Sequence, residues 1–268
     1  MADEGKLSQV AEEPVVLVEK RGNIEIITLN RPKAGNSVNG DLAQALDTAL
    51  NHAEEDDKVF AVVLTGAGNR VFCAGADVKY MAQNGAAGTK IPGHGFGGLT
   101  ERYFSKPLIC AVNGAAMGGG LEMALVCDLI VAAEHAKFGF PEVKLGIIAA
   151  GGGPIRIMRS LNRAMAMELL LTGEGISAER AKEIGLINRA VPAEALMDTA
   201  IGLAEKIAEN APLAIRGTKE LACKSVDMEV EEAFELSNTI RDRVRASEDT
   251  KEGSLAFREK RAPVWKNR

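Results

Sequence analysis

The stretch AVNGAAMGGGLEMALVCD, residues 111–128, places three consecutive glycines, Gly118, Gly119 and Gly120, between an apolar strand-like run and a helix-like run. Glycine inside a helix costs about 1 kcal/mol relative to alanine. Three at a helix start therefore need a reason, and close approach of the backbone to a ligand is one. A second junction of the same kind, VFCAGADVK at residues 71–79, has small residues Ala74, Gly75 and Ala76 before a helix that Asp77 is placed to cap. A chain with two strand–small-residue–helix junctions is built as an α/β protein.

The rest of the chain fits that class. VVLVEKRGNIEIITLN reads as two strands around a Gly22-Asn23 turn, and Asn39-Gly40-Asp41 opens a helix running to about Glu55. FAVVLTG, PLICAVNG and LIVAAE are apolar and rich in strand formers, and AKFGFPE is short and extended. Residues 84–98, with six glycines and a proline, are expected to form a mobile loop with no element, followed by a short helix near Leu99–Phe104. ISAERAKEIG has a Ser177 N-cap and a Gly185 stop, and three or four helices fill 193–260. The expected division is an α/β region over 1–192 and a helical region over 193–268. The amphipathic run EVEEAFELSNTIRDRVRAS, with Val230, Phe234 and Leu236, is too small for a core of its own. It is expected to pack on the body or on a neighbouring subunit.

Composition removes several classes of function. A net charge of −5 offers no general attraction for nucleic acid. No run of about 18 apolar residues is present to span a membrane, and the acidic N-terminus MADEGKLSQVAEEP resembles neither a signal nor a transit peptide. Cys73, Cys110, Cys127 and Cys223 are far apart, three of them in apolar runs, which suits free thiols in a reducing compartment such as the cytoplasm. No CxxC occurs and His52, His94 and His135 are scattered, so no metal site is expected. P-loop, GxSxG and helix-opening GxGxxG signatures are missing.

Each junction leaves backbone N–H groups without intrahelical partners at the first turn of a helix. Two such donors can hold a thioester oxygen as it becomes negative. Glu122 follows the glycines by two residues, where a helix dipole alone would favour an acid by a few tenths of a kcal/mol. Glu142 follows Phe140-Pro141, where taken alone it reads as an ordinary solvated loop acid. Two carboxylates converging on one apolar pocket could share acid–base work on a water molecule.

The stretches NRPKAGNSV, VFCAGADVK, KPLICAVNGAAMGGGLEMALVCDLIVA, FGFPEVKLGI and EGSLAFREKR, in this order and spacing, make the chain resemble the crotonase (enoyl-CoA hydratase/isomerase) superfamily over nearly its whole length. The resemblance implies a spiral of β-β-α units with a C-terminal helical trimerisation region, assembled as a homotrimer or a hexamer of two trimers. It implies that the amides of Ala76 and Gly119 form an oxyanion hole for an acyl-CoA thioester, with Glu122 as base and Glu142 as acid. Ala74, Ala76, Asp77, Val78, Lys79, Gly118 and Gly119, with Lys33 and Ala34, match substrate-binding segments. Phe257 and Lys260 match a patch that reaches the CoA of a neighbouring subunit. The implied reaction adds water across C2=C3 of a 2-trans-enoyl-CoA to give 3-hydroxyacyl-CoA, with no metal and no cofactor beyond the CoA of the substrate. Double-bond isomerisation or dehydration of a substituted hydroxyacyl-CoA are alternatives on the same frame, and a non-catalytic acyl-CoA- or RNA-binding module is a third. Isomerases of the family commonly lack the acid at the Glu122 position, so keeping both favours hydration.

Two departures from the family pattern bear on the acyl group. Gly35 stands where leucine is usual, which is expected to enlarge the acyl pocket, and Ala149-Ala150 replace a Pro-Gly pair.

Overall fold

The computed structural model describes residues 13–268. The elements are β1 (Val16–Arg21), β2 (Ile24–Leu29), α1 (Gly40–Glu55), β3 (Ala61–Gly66), β4 (Val71–Cys73), α2 (Val78–Asn84), β5 (Lys90–Ile91), β6 (Gly95–Phe96), β7 (Leu108–Val112), β8 (Ala115–Met117), α3 (Gly119–Ala124), β9 (Leu129–Ala133) and β10 (Lys137–Gly139). There follow α4 (Gly153–Ser160), α5 (Arg163–Thr172), β11 (Ile176–Ser177), α6 (Ala178–Glu183), β12 (Arg189–Val191), α7 (Leu196–Ala208), α8 (Pro212–Lys224), α9 (Val230–Arg245) and α10 (Glu248–Glu259).

The long strands form one sheet in the order β1-β2-β3-β7-β9-β12, antiparallel at β1/β2 and parallel beyond. Its register pairs Ile27 with Leu64, Leu64 with Cys110 and Cys110 with Ile130. Because successive side chains point to opposite faces, this row faces the main core with Leu29, Val62, Val112 and Ala132. The alternate row, Ile26, Ala61, Val63, Ile109, Ala111 and Val131, packs against Leu196, Ala200, Ile201 and Ala204 of α7. Burial on both faces explains why these strands read as unbroken apolar runs. Full burial of Leu196 and Ile201 stabilises the docking of α7 by about 1.5–3 kcal/mol for each side chain.

The short strands form a second sheet, β11-β10-β8-β4, parallel from β4 through β8 to β10. The chain thus repeats one motion. A long strand joins the large sheet (β3, β7, β9), the next joins the small sheet (β4, β8, β10), and a helical segment follows. This is the β-β-α spiral that the resemblance implies, with helices α7 to α10 after it. Ends of adjacent parallel strands lie about 4.8 Å apart, so the residues just after β4, β8 and β10 are brought side by side.

Two local expectations are corrected. Residues 84–98 carry a 3-10 turn over Ala86–Thr89 and the two-residue hairpin β5/β6 rather than no element. The hairpin is fastened from outside: Thr100 Oγ1 accepts from the Phe96 N–H, and His94 Nδ1 meets Asp47 on α1. No helix forms over Leu99–Phe104. Gly97 and Gly98 adopt positive φ (63° and 70°), and the chain closes instead through turn bonds such as Arg102 N–H to Leu99 O. On α9 only Ile240 is buried, against Gly217 of α8, whereas Phe234 remains 67% exposed.

Candidate active site

The three strand ends of the small sheet bring the anticipated oxyanion junctions and acids together. Gly75, with φ of +92°, ends the first junction, and a side chain there would come within 3.1 Å of the Gly119 nitrogen. The two junctions therefore touch. The Ala76 and Gly119 N–H groups donate to no acceptor among the described residues. The Gly118 N–H, by contrast, is spent on Gly139 O at 2.9 Å, which locks the end of β8 to the end of β10.

The consecutive glycines are now accounted for one at a time. Gly118 has φ of +54°, and a Cβ on it would meet Glu142 Oε1 at 2.6 Å. A Cβ on Gly119 would strike the Phe96 ring at 2.5 Å, and one on Gly120 would run into the Cys73 carbonyl. Gly120 lets α3 sit directly on β4, Gly119 lets the hairpin ring close over the helix start, and Gly118 leaves room for the second acid.

Glu122, on the first turn of α3, is only 3% exposed. Its Oε1 accepts from the Gly151 and Gly153 N–H groups at 2.7 and 2.8 Å, and its Oε2 makes no hydrogen bond among the described residues. Glu142 stands in the 3-10 turn Pro141–Leu145 after β10, and its Oε2 is buried without a hydrogen-bond partner among the described residues. Burial pushes the Glu122 carboxyl above its ordinary value, against the pull of the two N–H groups and of the Arg156 and Lys90 charges. Burial also raises Glu142; its own N–H opposes the shift and the charge of Glu122 adds to it. Glu122 thus has two N–H donors and two neighbouring cations that favour its charge, whereas only its own N–H favours that of Glu142.

Both acids line a cavity of about 230 Å³ together with Ala74, Gly75, Ala76, Gly118, Gly119 and Val78. The remaining wall is mostly apolar: Met81, Ala86, Phe96, Leu145, Ile147 and Ile148. Other anticipated residues lie outside it. Asp77 caps α2 through the Lys79 and Tyr80 N–H groups and pairs with Arg31 at 3.0 Å. Lys33 and Ala34 are exposed on a 3-10 turn that the Ala74 N–H ties to the first junction through Gly35 O. Lys79 is exposed on α2. Phe257, 88% exposed, and Lys260 sit at the end of α10 and do not line the cavity of their own chain. Gly35 does not line the cavity either, which corrects the expected enlargement: its φ of +60° closes the 3-10 turn, and a side chain there would meet Ala74 and Val71. Of the two departing alanines, Ala149 is buried and Ala150 lines the wall.

Arg156 was not anticipated. From α4 it donates to Gly151 O at 3.2 Å and to Thr100 O, joining the loop that feeds Glu122 to the turn that holds Phe96. The only sequence trace is its place after GGGP, which marks a helix start but not the direction of its side chain. Arg156→Met is expected to lower kcat/KM about 10-fold, the scale of a lost charged hydrogen bond. The Arg156 charge lowers the Glu122 pKa, so its loss raises that pKa further and moves the acid limb of the activity profile to higher pH. Arg156→Lys retains the charge and should leave the limb in place. An unmoved limb in Arg156→Met would refute this positioning role.

Residues 19–268 match the enoyl-CoA hydratase/isomerase family model. The chain is 40% identical over 253 residues to a carnitinyl-CoA dehydratase of Proteus mirabilis, covering 92% of this chain and 97% of that protein. It is 39% identical over 252 residues to a short-chain-enoyl-CoA hydratase of Clostridium acetobutylicum, covering 92% and 95%. The crystal structure of an enoyl-CoA hydratase from Mycobacterium marinum superposes with a TM-score of 0.92 at 46% identity, over 96% of this chain and all of that one. With the family model spanning the whole spiral and the helical region after it, the chain belongs to the enoyl-CoA hydratase/isomerase family, the crotonase superfamily.

Proposed function

We propose that this enzyme hydrates a 2-trans-enoyl-CoA to a 3-hydroxyacyl-CoA. The observation that carries the reading is the meeting of two unequally supported buried carboxyls with two adjoining unpaired amides. The thioester oxygen lies against the Ala76 and Gly119 N–H groups, which draw charge from C2=C3 and make C3 electrophilic. Glu122, whose Oε1 accepts from the Gly151 and Gly153 N–H groups, takes a proton from water as the oxygen attacks C3. Glu142 delivers its proton to C2 as the enolate oxygen reforms the thioester carbonyl. The proton taken up by Glu122 then passes to Glu142 and restores both acids, so over the cycle water supplies the hydroxyl on C3 and the hydrogen on C2, with no change of oxidation state overall.

A relative's name gives the second reading, dehydration of carnitinyl-CoA. It is the same chemistry in reverse on a substituted acyl chain. Purified protein incubated with crotonyl-CoA and followed by loss of enoyl-thioester absorbance tests the first reading. Turnover of carnitinyl-CoA with none of crotonyl-CoA would replace it with the second. The proposed assembly is a homotrimer or a pair of trimers, supported by the uncovered apolar side chains Val230 and Phe234 of α9 and Met228 before it. A sedimentation coefficient of a monomer would remove that part. The proposed location is the cytoplasm, whose reducing conditions suit the buried free thiols Cys73, Cys110 and Cys127.

A further inference from the structure

The wall of the cavity holds three charged residues: Glu122, Glu142 and Lys90. The two acids belong to the chemistry described above. Lys90 does not. It stands on β5, in the hairpin that also carries Phe96, and its ammonium has no ion pair and no hydrogen bond among the described residues. Its neighbours on the wall are Met81, Ala86, Phe96 and the Thr89 side chain, and Thr89 Oγ1 is already committed to Ala86 O. Lys90 is exposed at the edge of this mostly apolar wall, where a cation can meet an anion or a strong acceptor on a bound ligand.

We propose that Lys90 is a specificity residue that selects acyl groups ending in a carboxylate or another strong acceptor, and that rejects acyl groups bearing a quaternary ammonium. The proposal rests on the reading of the cavity as an enoyl-CoA site. Its placement follows from the hairpin. Lys90 pairs with Phe96 across β5/β6, the Phe96 ring lies over the start of α3, and Lys90, Phe96 and Glu122 line one cavity; on this proposal Lys90 stands at the acyl chain beyond the double bond. The thioester lies at the other side of the acids, on the Ala76 and Gly119 amides. A trimethylammonium acyl group would find no carboxylate on this wall besides the two catalytic acids, a repelling cation, and Phe96 as the sole aromatic ring. The chain thus differs in its expected preference from the carnitinyl-CoA dehydratases that it resembles at 40% identity.

The test compares crotonyl-CoA with glutaconyl-CoA, a 2-enoyl thioester with a distal carboxylate, and with the trimethylammonium analogue crotonobetainyl-CoA. The parent enzyme is expected to favour glutaconyl-CoA in kcat/KM. Lys90→Gln should lose about 10- to 100-fold more on that substrate than on crotonyl-CoA, as a charge-assisted hydrogen bond is lost, and any loss common to the two substrates reports the Lys90 charge acting on Glu122. Lys90→Glu should gain on crotonobetainyl-CoA. Equal losses on glutaconyl- and crotonyl-CoA, or weaker inhibition by CoA alone, would assign the ammonium to a CoA phosphate and overturn the proposal. Calorimetric binding of the saturated thioesters glutaryl-CoA and butyryl-CoA reads the subsite without turnover. A Lys90-dependent preference for glutaryl-CoA in a protein that hydrates nothing would strike the hydration reading and leave this one standing. No preference between the two thioesters would overturn it whatever the activity.

Discussion

Glu142→Gln is expected to fold, to bind acyl-CoA and to lose at least about 100-fold in hydration, the low end for a removed acid–base group. Glu122→Gln should lose as much, and the double variant far less than the product of the two, because groups acting on one water are not additive. The stability of Glu142→Gln separates function from folding. Burial holds the Glu142 carboxyl above its ordinary value, so the folded state binds its proton more tightly than the unfolded chain does. That contribution to stability is fully present below the ordinary carboxylate range and is lost as pH rises through the raised folded value. A glutamine cannot ionise. The thermal midpoint of Glu142→Gln relative to the parent should therefore rise as pH climbs from the ordinary carboxylate range through the raised folded value, while activity is low throughout. In the parent, the two-carboxylate mechanism requires one carboxyl ionised and the other protonated. Both limbs of its bell-shaped profile should then lie above the ordinary carboxylate range, as apparent values of the pair. Near-normal turnover in either single variant would eliminate the two-carboxylate mechanism.

Much of this site is legible in the sequence because its parts are local. A cap such as Asn39 accepting from the Leu42 N–H, or Asp77 accepting from Lys79 and Tyr80, is written within four residues. The apolar runs of β3, β7 and β9 announce strands buried on both faces. The glycine clusters announce junctions, and the motif order announces the family. What escapes is whatever depends on a partner distant in the chain. Residues 84–98 are glycine-rich enough to read as a loop, yet they form a hairpin because Asp47 and Thr100 fasten it. Gly35 reads as a missing side chain in the acyl pocket, whereas its positive φ serves a turn next to Ala74. The support of Glu122 by Gly151 and Gly153 spans about 30 positions, and no pattern in either segment points to the other.

Gly119→Pro is expected to cost about 3–4 kcal/mol in transition-state stabilisation, the scale of one lost oxyanion donor. Proline has no N–H, and at the first residue of α3 its ring occupies the position where a helix accepts it best. The Phe96 ring is the complication. A Cβ at Gly119 would stand 2.5 Å from it, so the ring and the β5/β6 hairpin must shift in both Gly119→Pro and Gly119→Ala. Alanine keeps the N–H, so it reports the steric part alone: a lower thermal midpoint and weaker binding of substrate analogues as the wall moves. The difference in kcat between the two variants then isolates the donor. A kcat for Gly119→Pro more than about 100-fold below that of Gly119→Ala, at comparable midpoints, assigns the amide to the oxyanion. Equal kcat in the two would mean that this glycine exists only to seat Phe96, and that the thioester oxygen is held elsewhere.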